Sequence, residues 1–388
     1  MKSIEEIQAW MKKRHWSAWV IADAGCKNPA LISLFGKRNL TRRLFFVLPA
    51  DKEPYFICSK IDGEALQDCP FRRIEYRRYE ELLQALHCLE EYPEVAMEMS
   101  ENGCLPKASI VDYGTVCLIK QYVPKIISSA DLLQMFSSTL TDEELIDHQN
   151  TVKLLEKIKD EAFVFIKSSL HAQKAIHEYD VQQFISSRME EEGLITDAPA
   201  IVAVNGNASN PHYTPTKEKH TYIQKGDVVL IDLWAKKTKE NSVYGDLTWM
   251  GYVGKTVPEE IDRVFRIVQE ASRKTVEFLQ KEIPLRSVKG YEADDICRNY
   301  IQEQGYGDYF IHRTGHNIAK EETPHGPGVN LDHYETKDDR CFLDHTIFSV
   351  EPGIYLPNFG IRLELDVMIQ DGKVSVTGSV QKDWVLLD

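Results

Sequence analysis

Four acidic residues stand where a folding chain least accommodates them. Asp232 lies inside the apolar run DVVLIDLWA, Asp246 precedes LTWMGYVG, Glu351 ends TIFSVE, and Glu364 lies inside GIRLELDVMI. Each run reads as a strand by its β-branched and aromatic content. A single Asp or Glu in such a run is ordinarily half of a hydrogen-bonded ion pair. Four together repel one another unless cations compensate them, and Arg362 is the only basic residue in these runs. Two divalent ions would balance four negative charges, and one neutral imidazole would complete the shell. An oxygen-rich set with a single imidazole suits Mn²⁺, Co²⁺ or Zn²⁺.

The period of two in IRLELDV sets Ile361, Leu363 and Leu365 on one face and Arg362, Glu364 and Asp366 on the other. Asp246 and Thr248 share a face of a second strand, so the Thr248 hydroxyl is expected to hold the Asp246 carboxylate. The pattern suggests a hairpin between residues 228 and 253, with the polar KKTKENS near its tip.

Around these strands the texture is that of a two-domain protein. The first third alternates strand-like SAWVIAD, RLFFVLP, PYFIC and EVAMEM with the helical RYEELLQALHCLEEY, which predicts a small α/β domain over 1–138. Thr141 followed by Glu144 forms a capping box, and Leu145, Val152, Leu155, Ile158, Ala162, Ile166 and Leu170 continue one helical stripe from it. Further helices are expected at about 178–192, 257–281 and 290–304. Mixed with the strands, they give an α+β second domain over 139–388.

Acidic residues outnumber basic ones 60 to 46 for a net charge of −14, which disfavours nucleic acid and anionic membranes as partners. The opening MKSIEEIQAWMKKRHW reads as an amphipathic helix, unlike a secretory signal. None of the eight cysteines forms a C-x-x-C pair, and they read as reduced structural thiols. A soluble cytoplasmic protein is expected.

HRTGH at 312–316, SVEPGIY at 349–355 and GIRLELD at 360–366, preceded by IDLWA and GDLTW, resemble the pita-bread metallopeptidases. The similarity is to the branch of prolidases (Xaa-Pro dipeptidases) and Xaa-Pro aminopeptidases, with a creatinase/prolidase-type N-terminal domain. The resemblance implies hydrolysis of the bond preceding proline in di- or oligopeptides, two metal ions with Mn²⁺ favoured, and a homodimer. It implies Asp232, Asp246, His316, Glu351 and Glu364 as ligands, with Asp246 and Glu364 bridging both ions. It further implies a metal-bridged hydroxide as nucleophile and Glu351 as general base. By the same resemblance His212 orients the peptide, and His325 donates to the carbonyl oxygen that turns negative.

Arg362 reads either as a partner for an inner carboxylate or as an anchor for the substrate's terminal carboxylate. Tyr213, Trp234, Tyr244 and Trp249 are candidates for a proline pocket or for core. His312 is expected in a supporting or packing position, and His148 in a solvated or capping one. The chain departs from the family where Asn317 and Ala319 replace glycines, where PHGPG surrounds His325, and where Leu365 replaces a frequent acid. Competing readings are an Xaa-Pro aminopeptidase acting on longer peptides, a metal-free creatinase-like hydrolase, and a non-catalytic peptide-binding protein that keeps the fold.

Overall fold

The computed structural model describes residues 3–388, and the chain divides into two compact units between Ser137 and Ser138. The first contains helices α1 (Ile4–Lys13), α2 (Pro29–Phe35), α3 (Tyr79–Leu86), α4 (Tyr113–Ile119) and α5 (Ala130–Ser137). Its strands are β1 (Ala18–Ala24), β2 (Arg43–Pro49), β3 (Tyr55–Ser59), β4 (Arg72–Tyr76), β5 (Glu94–Met97) and β6 (Lys125–Ser128). They form one mixed sheet in the order β4-β3-β2-β1-β5-β6. The two strands absent from the sequence reading, β4 and β6, are its edges. Largely solvent-facing edges lack the apolar signature of the inner strands. All eight cysteines carry free thiols. Among the described residues no helix is long and apolar enough to cross a membrane.

The second unit opens with α6 (Asp142–His171). Its first turn is the capping box: Glu144 N–H donates to Thr141 Oγ1, and Thr141 N–H to the Glu144 carboxylate. There follow α7 (Glu178–Glu191), β7 (Leu194–Ile195), β8 (Ile201–Val204), β9 (Val228–Lys237), β10 (Gly245–Tyr252), α8 (Glu259–Glu282) and α9 (Gly290–Glu303). The chain ends in β11 (Thr346–Val350), β12 (Gly353–Leu356), β13 (Phe359–Arg362), β14 (Leu365–Gln370), β15 (Lys373–Val376) and β16 (Val385–Leu386). Strand β9 is central in its sheet, with β10 on one side and β7 and β8 on the other.

Alternation along β9 explains how an apolar strand carries an acid. Val229, Ile231 and Leu233 pack on Val152, Leu155 and Ile158 of α6. Val228 and Leu230 face the opposite way, into the core that contains Phe265 of α8 and Ile361 of β13. Asp232 takes this second face. In the antiparallel pairing with β10, Thr248 lies opposite Asp232 and Trp234 opposite Asp246.

The stretch GIRLELDVMI is not one strand. β11 pairs with β14 and β12 with β13, so Val350 faces Leu365 and Gly353 faces Arg362, while Glu351–Pro352 and Leu363–Glu364 fall between the two ladders. Leu363 N–H goes to Pro352 O and Glu364 N–H crosses to Thr248 O of β10. Both glutamates therefore sit where the double strand leaves one sheet for another, released from the pleat.

The β9–β10 tip is anchored and not simply a surface loop. Buried Asp147 of α6 accepts Ser242 Oγ at 2.6 Å and pairs with Lys237 and Lys239 at 3.0 and 2.8 Å. Burial raises this carboxyl, but Lys239, Ser242 and Lys237 together pull it down to about 2.

Candidate active site

A cavity of about 310 Å³ lies in the second unit, and all eight residues singled out from the sequence line it: Asp232, Asp246, His316, Glu351, Glu364, His212, His325 and Arg362. Asp246 from β10, His316 from the loop after α9, and Glu364 from the β13–β14 break offer donor atoms within 4.8 Å of one another. His316 Nε2 stands 3.7 Å from Asp246 Oδ2 and 3.6 Å from Glu351 Oε1. Its Nδ1 lies 3.1 Å from Asn317 O. A proton on Nδ1 donated to that carbonyl directs Nε2 at the carboxylates, the tautomer a metal ligand needs.

The segment that carries His316 is held close to β11. A Cβ on Gly315 would fall 2.0 Å from Ser349 O, so only glycine allows this approach. Ser349 Oγ receives His316 N–H at 3.0 Å. Asn317, where the family has glycine, is a tie. Its Nδ2 donates to Ile347 O of β11 and its Oδ1 receives Gly328 N–H, both at 2.9 Å, while Gly326 N–H reaches its carbonyl at 2.7 Å. The PHGPG segment is thereby fixed beside the site, and the rings of His316 and His325 lie 4.1 Å apart. His212 and His325 are exposed at the mouth.

Arg362 takes the first of its two readings. Its guanidinium donates to Asp232 Oδ2 at 2.5 Å, to Tyr355 Oη at 3.1 Å and to Thr248 Oγ1 at 3.2 Å. It is thus paired with the carboxylate cluster while it lines the cavity. The Thr248 hydroxyl donates to Glu364 Oε2 at 2.7 Å, not to Asp246 as expected, because the bridge between Thr248 and Glu364 brings that carboxylate over it. Tyr355 in turn lies 2.6 Å from His312 Nε2, so His312 lines the wall in a supporting role. Of the four aromatics weighed for a proline pocket, only Trp234 lines the cavity. Tyr213 is committed to Glu178, Tyr244 is buried in core, and Trp249 lies beneath Lys159.

Burial raises the Asp246 and Glu364 carboxyls well above the usual range, and neighbouring carboxylates add to the rise. Burial also raises Asp232, against the pull of Arg362. It lifts Glu351 to about 7, opposed by Arg362 and Arg313. Among the described residues Asp232 Oδ1 and Asp246 Oδ1 are buried without a hydrogen-bond partner. Buried acceptors are rarely left so. Two guanidinium groups, Arg362 and Arg313, against Asp232, Asp246, Glu351 and Glu364 still leave a deficit of positive charge, so the donor set fits divalent cations.

Two supporting residues escaped the sequence reading. Asp366 Oδ2 receives Asp246 N–H at 2.8 Å, which supplies one position later the acid that Leu365 displaced. Its place on the face of Arg362 and Glu364 was the available signal. His148 is fully buried, with Nδ1 2.6 Å from Tyr244 O and Nε2 2.9 Å from Thr377 Oγ1. It lies 3.8 Å from Asp366. Its place on the apolar stripe, three residues after Leu145 and four before Val152, was the available signal, and the residue type alone made it look solvated.

Burial lowers His148 to about 4, against the pull of its bond to Tyr244 O. The unfolded chain protonates near 6.5, so the folded state binds fewer protons between about 6.5 and 4 and loses stability as pH falls through that window. The wild type should lose about 3 kcal/mol from this group. A His148→Leu variant should show a correspondingly shallower decline in urea denaturation between pH 7 and 4.5. Equal declines would mean that His148 titrates alike in both states.

Residues 150–371 match the model of Metallopeptidase family M24. The chain belongs to metallopeptidase family M24. Its members are metal-dependent peptidases, which agrees with the carboxylate-rich donor set. An Xaa-Pro dipeptidase of Pyrococcus furiosus is 29% identical over 335 residues, 84% of each chain. A prolidase structure from Thermococcus sibiricus superimposes with a TM-score of 0.55 at 20% identity, covering 99% of this chain and 98% of that one. An X-prolyl aminopeptidase structure from Caenorhabditis elegans, described as a cytosolic enzyme with a di-nuclear active site, gives 0.59 at 16% identity over 97% of this chain and 61% of the other. This M24 member thus has the prolidase fold, an α/β unit followed in the chain by a pita-bread catalytic unit.

Proposed function

We propose that this M24 peptidase hydrolyses the bond preceding proline in Xaa-Pro dipeptides, with Asp232, Asp246, His316, Glu351 and Glu364 holding two divalent metal ions. The observation that carries the reading is the pair of orphaned oxygens, Asp232 Oδ1 and Asp246 Oδ1, beside the Asp246, His316 and Glu364 donors. The dipeptidase and aminopeptidase names of its relatives support the choice of bond. Bound ions would polarise the scissile carbonyl and lower the pKa of a water from about 15.7 toward about 7. The oxygen-rich set favours Mn²⁺, with Co²⁺ or Zn²⁺ as substitutes.

The protein's own groups divide the remaining work. Glu351 takes the proton of the attacking water and returns it to the prolyl nitrogen as that nitrogen leaves. His325 at the mouth donates to the carbonyl oxygen as it becomes negative. His212 orients the peptide, and Trp234 gives the proline ring an apolar wall. Arg362 holds Asp232 and Thr248 holds Glu364 in place, and Tyr355 supports Arg362.

The test is proline release from Ala-Pro and from Ala-Pro-Ala by chelator-treated protein, before and after adding Mn²⁺, Co²⁺ or Zn²⁺. Metal-dependent release from the dipeptide, with the tripeptide much slower, is expected. Equal or faster cleavage of Ala-Pro-Ala would point to an aminopeptidase, and no metal-dependent release from either would end the proline reading.

A further inference from the structure

His212 is carried by the segment between β8 and β9, and that segment is gathered onto one buried acid. Glu178, fully buried in the first turn of α7, accepts four hydrogen bonds. Val204 N–H and Asn207 Nδ2 reach its Oε1 at 2.7 and 2.8 Å, and Tyr213 Oη and Thr221 N–H reach its Oε2, both at 2.7 Å. An ionised carboxylate offers about four acceptor positions, so all of them are filled. The donors span the segment from Val204 at the end of β8, through Asn207 and the residue after His212, to Thr221.

The carboxylate is not consumed in capping its own helix. His177 and Asp180 do that, each donating its N–H to the other's side chain. Burying an acid without donors is costly, and here all the donors come from outside α7, so Glu178 and the segment order each other. The contact is returned by Glu178 N–H, which donates to Thr221 O at 3.0 Å. Beside it the His220 ring stacks on His177 with centroids 3.7 Å apart.

The segment is also pressed onto the β12–β13 pair. A Cβ on Gly360 would fall 2.0 Å from Ala208 O, and Ser209 Oγ donates to Leu356 O. Pro211 and His212 line the cavity, while Tyr213 and Glu178 are buried outside the lining. Tyr213 joins the two levels. Its hydroxyl ends on Glu178, its N–H donates to Asn210 O at 3.0 Å, and His212 N–H donates to Asn210 Oδ1 at 3.1 Å. The backbone of exposed His212 is therefore fixed by a buried anchor one residue away.

We propose that Glu178 is the positioning residue for His212, acting through Tyr213, an inference that rests on the proposed Xaa-Pro hydrolysis. A dipeptide offers few contacts, so a histidine that orients it has to be in place before the substrate arrives.

In Glu178→Gln one oxygen becomes an amino group that cannot accept, and at least one backbone N–H, of Val204 or Thr221, loses its partner. Tyr213→Phe removes only the hydroxyl link and carries the test if the glutamine variant folds poorly. Both should lower kcat/KM on Ala-Pro by roughly 10–100-fold, the cost of a misplaced orienting group, at unchanged metal content. Both should speed amide hydrogen exchange at position 213 by roughly tenfold or more, while the amides of β9 keep their rates. In a His212→Ala background Tyr213→Phe should cost little further activity, since the group it misplaces is already gone. A full additional loss in that background, unaltered kcat/KM in both variants, or unaltered exchange at 213 would overturn the assignment. A wild type that releases no proline, with exchange at 213 still responding to both substitutions, would overturn the Xaa-Pro reading and leave the hold of Glu178 on the segment standing.

Discussion

Glu351→Gln is expected to lower kcat on Ala-Pro by roughly 10²–10⁴-fold, the usual contribution of a general acid-base group, with little change in unfolding temperature. The side chain enters the cavity from the break between β11 and β12, where its N–H is held by Thr314 O. Glutamine has the same shape, keeps an oxygen for Ser349 Oγ, which lies 3.4 Å from Glu351 Oε1, and cannot carry the proton. In the metal-free protein burial lifts this carboxyl to about 7, opposed by Arg362 and Arg313, and bound cations would draw it lower. The wild-type kcat/KM should therefore fall on the acid side of neutrality as the base protonates, and the residual activity of the variant should lack that limb. Metal content measured alongside separates the proton role from ligation. Undiminished turnover, or an unaltered acid limb, would remove Glu351 from the chemistry.

Arg362→Leu should destabilise the metal-free protein by about 3–5 kcal/mol, the range for breaking a buried charge pair from one side. The guanidinium is 3% exposed and is shared among Asp232, Tyr355 and Thr248. Without it Asp232 loses its counter-charge and the Tyr355 hydroxyl a donor, in a space already crowded with carboxylates. Arg362→Lys restores the charge but not the three-way fork, so it should recover only part of the loss. Saturation with Mn²⁺ should shrink the deficit, because cations that replace the lost counter-charge of Asp232 bind the variant more tightly than the wild type, and stabilisation by a ligand grows with the logarithm of its affinity. Urea denaturation with and without metal measures both effects. An identical deficit in the two conditions would mean that Arg362 merely fills space.

The carboxylate ligands proposed for the site were legible because an acid inside an apolar strand is a visible conflict, and β9 and β10 resolve it by alternation. Glu351 and Glu364 were visible as acids but not in geometry: nothing in SVEPGIY or RLELD reveals that the ladders part between Val350 and Gly353. The partner of Thr248 depended on that break and was misread with it. His148 was readable from its place on the helical stripe between Leu145 and Val152, and was missed because its residue type was given more weight than its spacing. The edge strands β4 and β6 gave no signal because their surroundings impose none.

Asn317 carries a consequence for how such a sequence can drift. Its amide occupies the volume that side chains at 326 and 328 would need: a Cβ would approach its Oδ1 to 2.1 Å from Gly326 and to 2.7 Å from Gly328. The two departures from the family pattern, at NIA and at PHGPG, thus meet in one contact, to which Ser138 adds its own Cβ 2.7 Å from the place of a Cβ at 328. Replacing the asparagine alone leaves the glycines facing a hole, and replacing the glycines alone drives them into the amide. A side chain at either 326 or 328 therefore has to displace the same amide that ties the segment to β11, so both positions are closed by one residue distant from them in sequence.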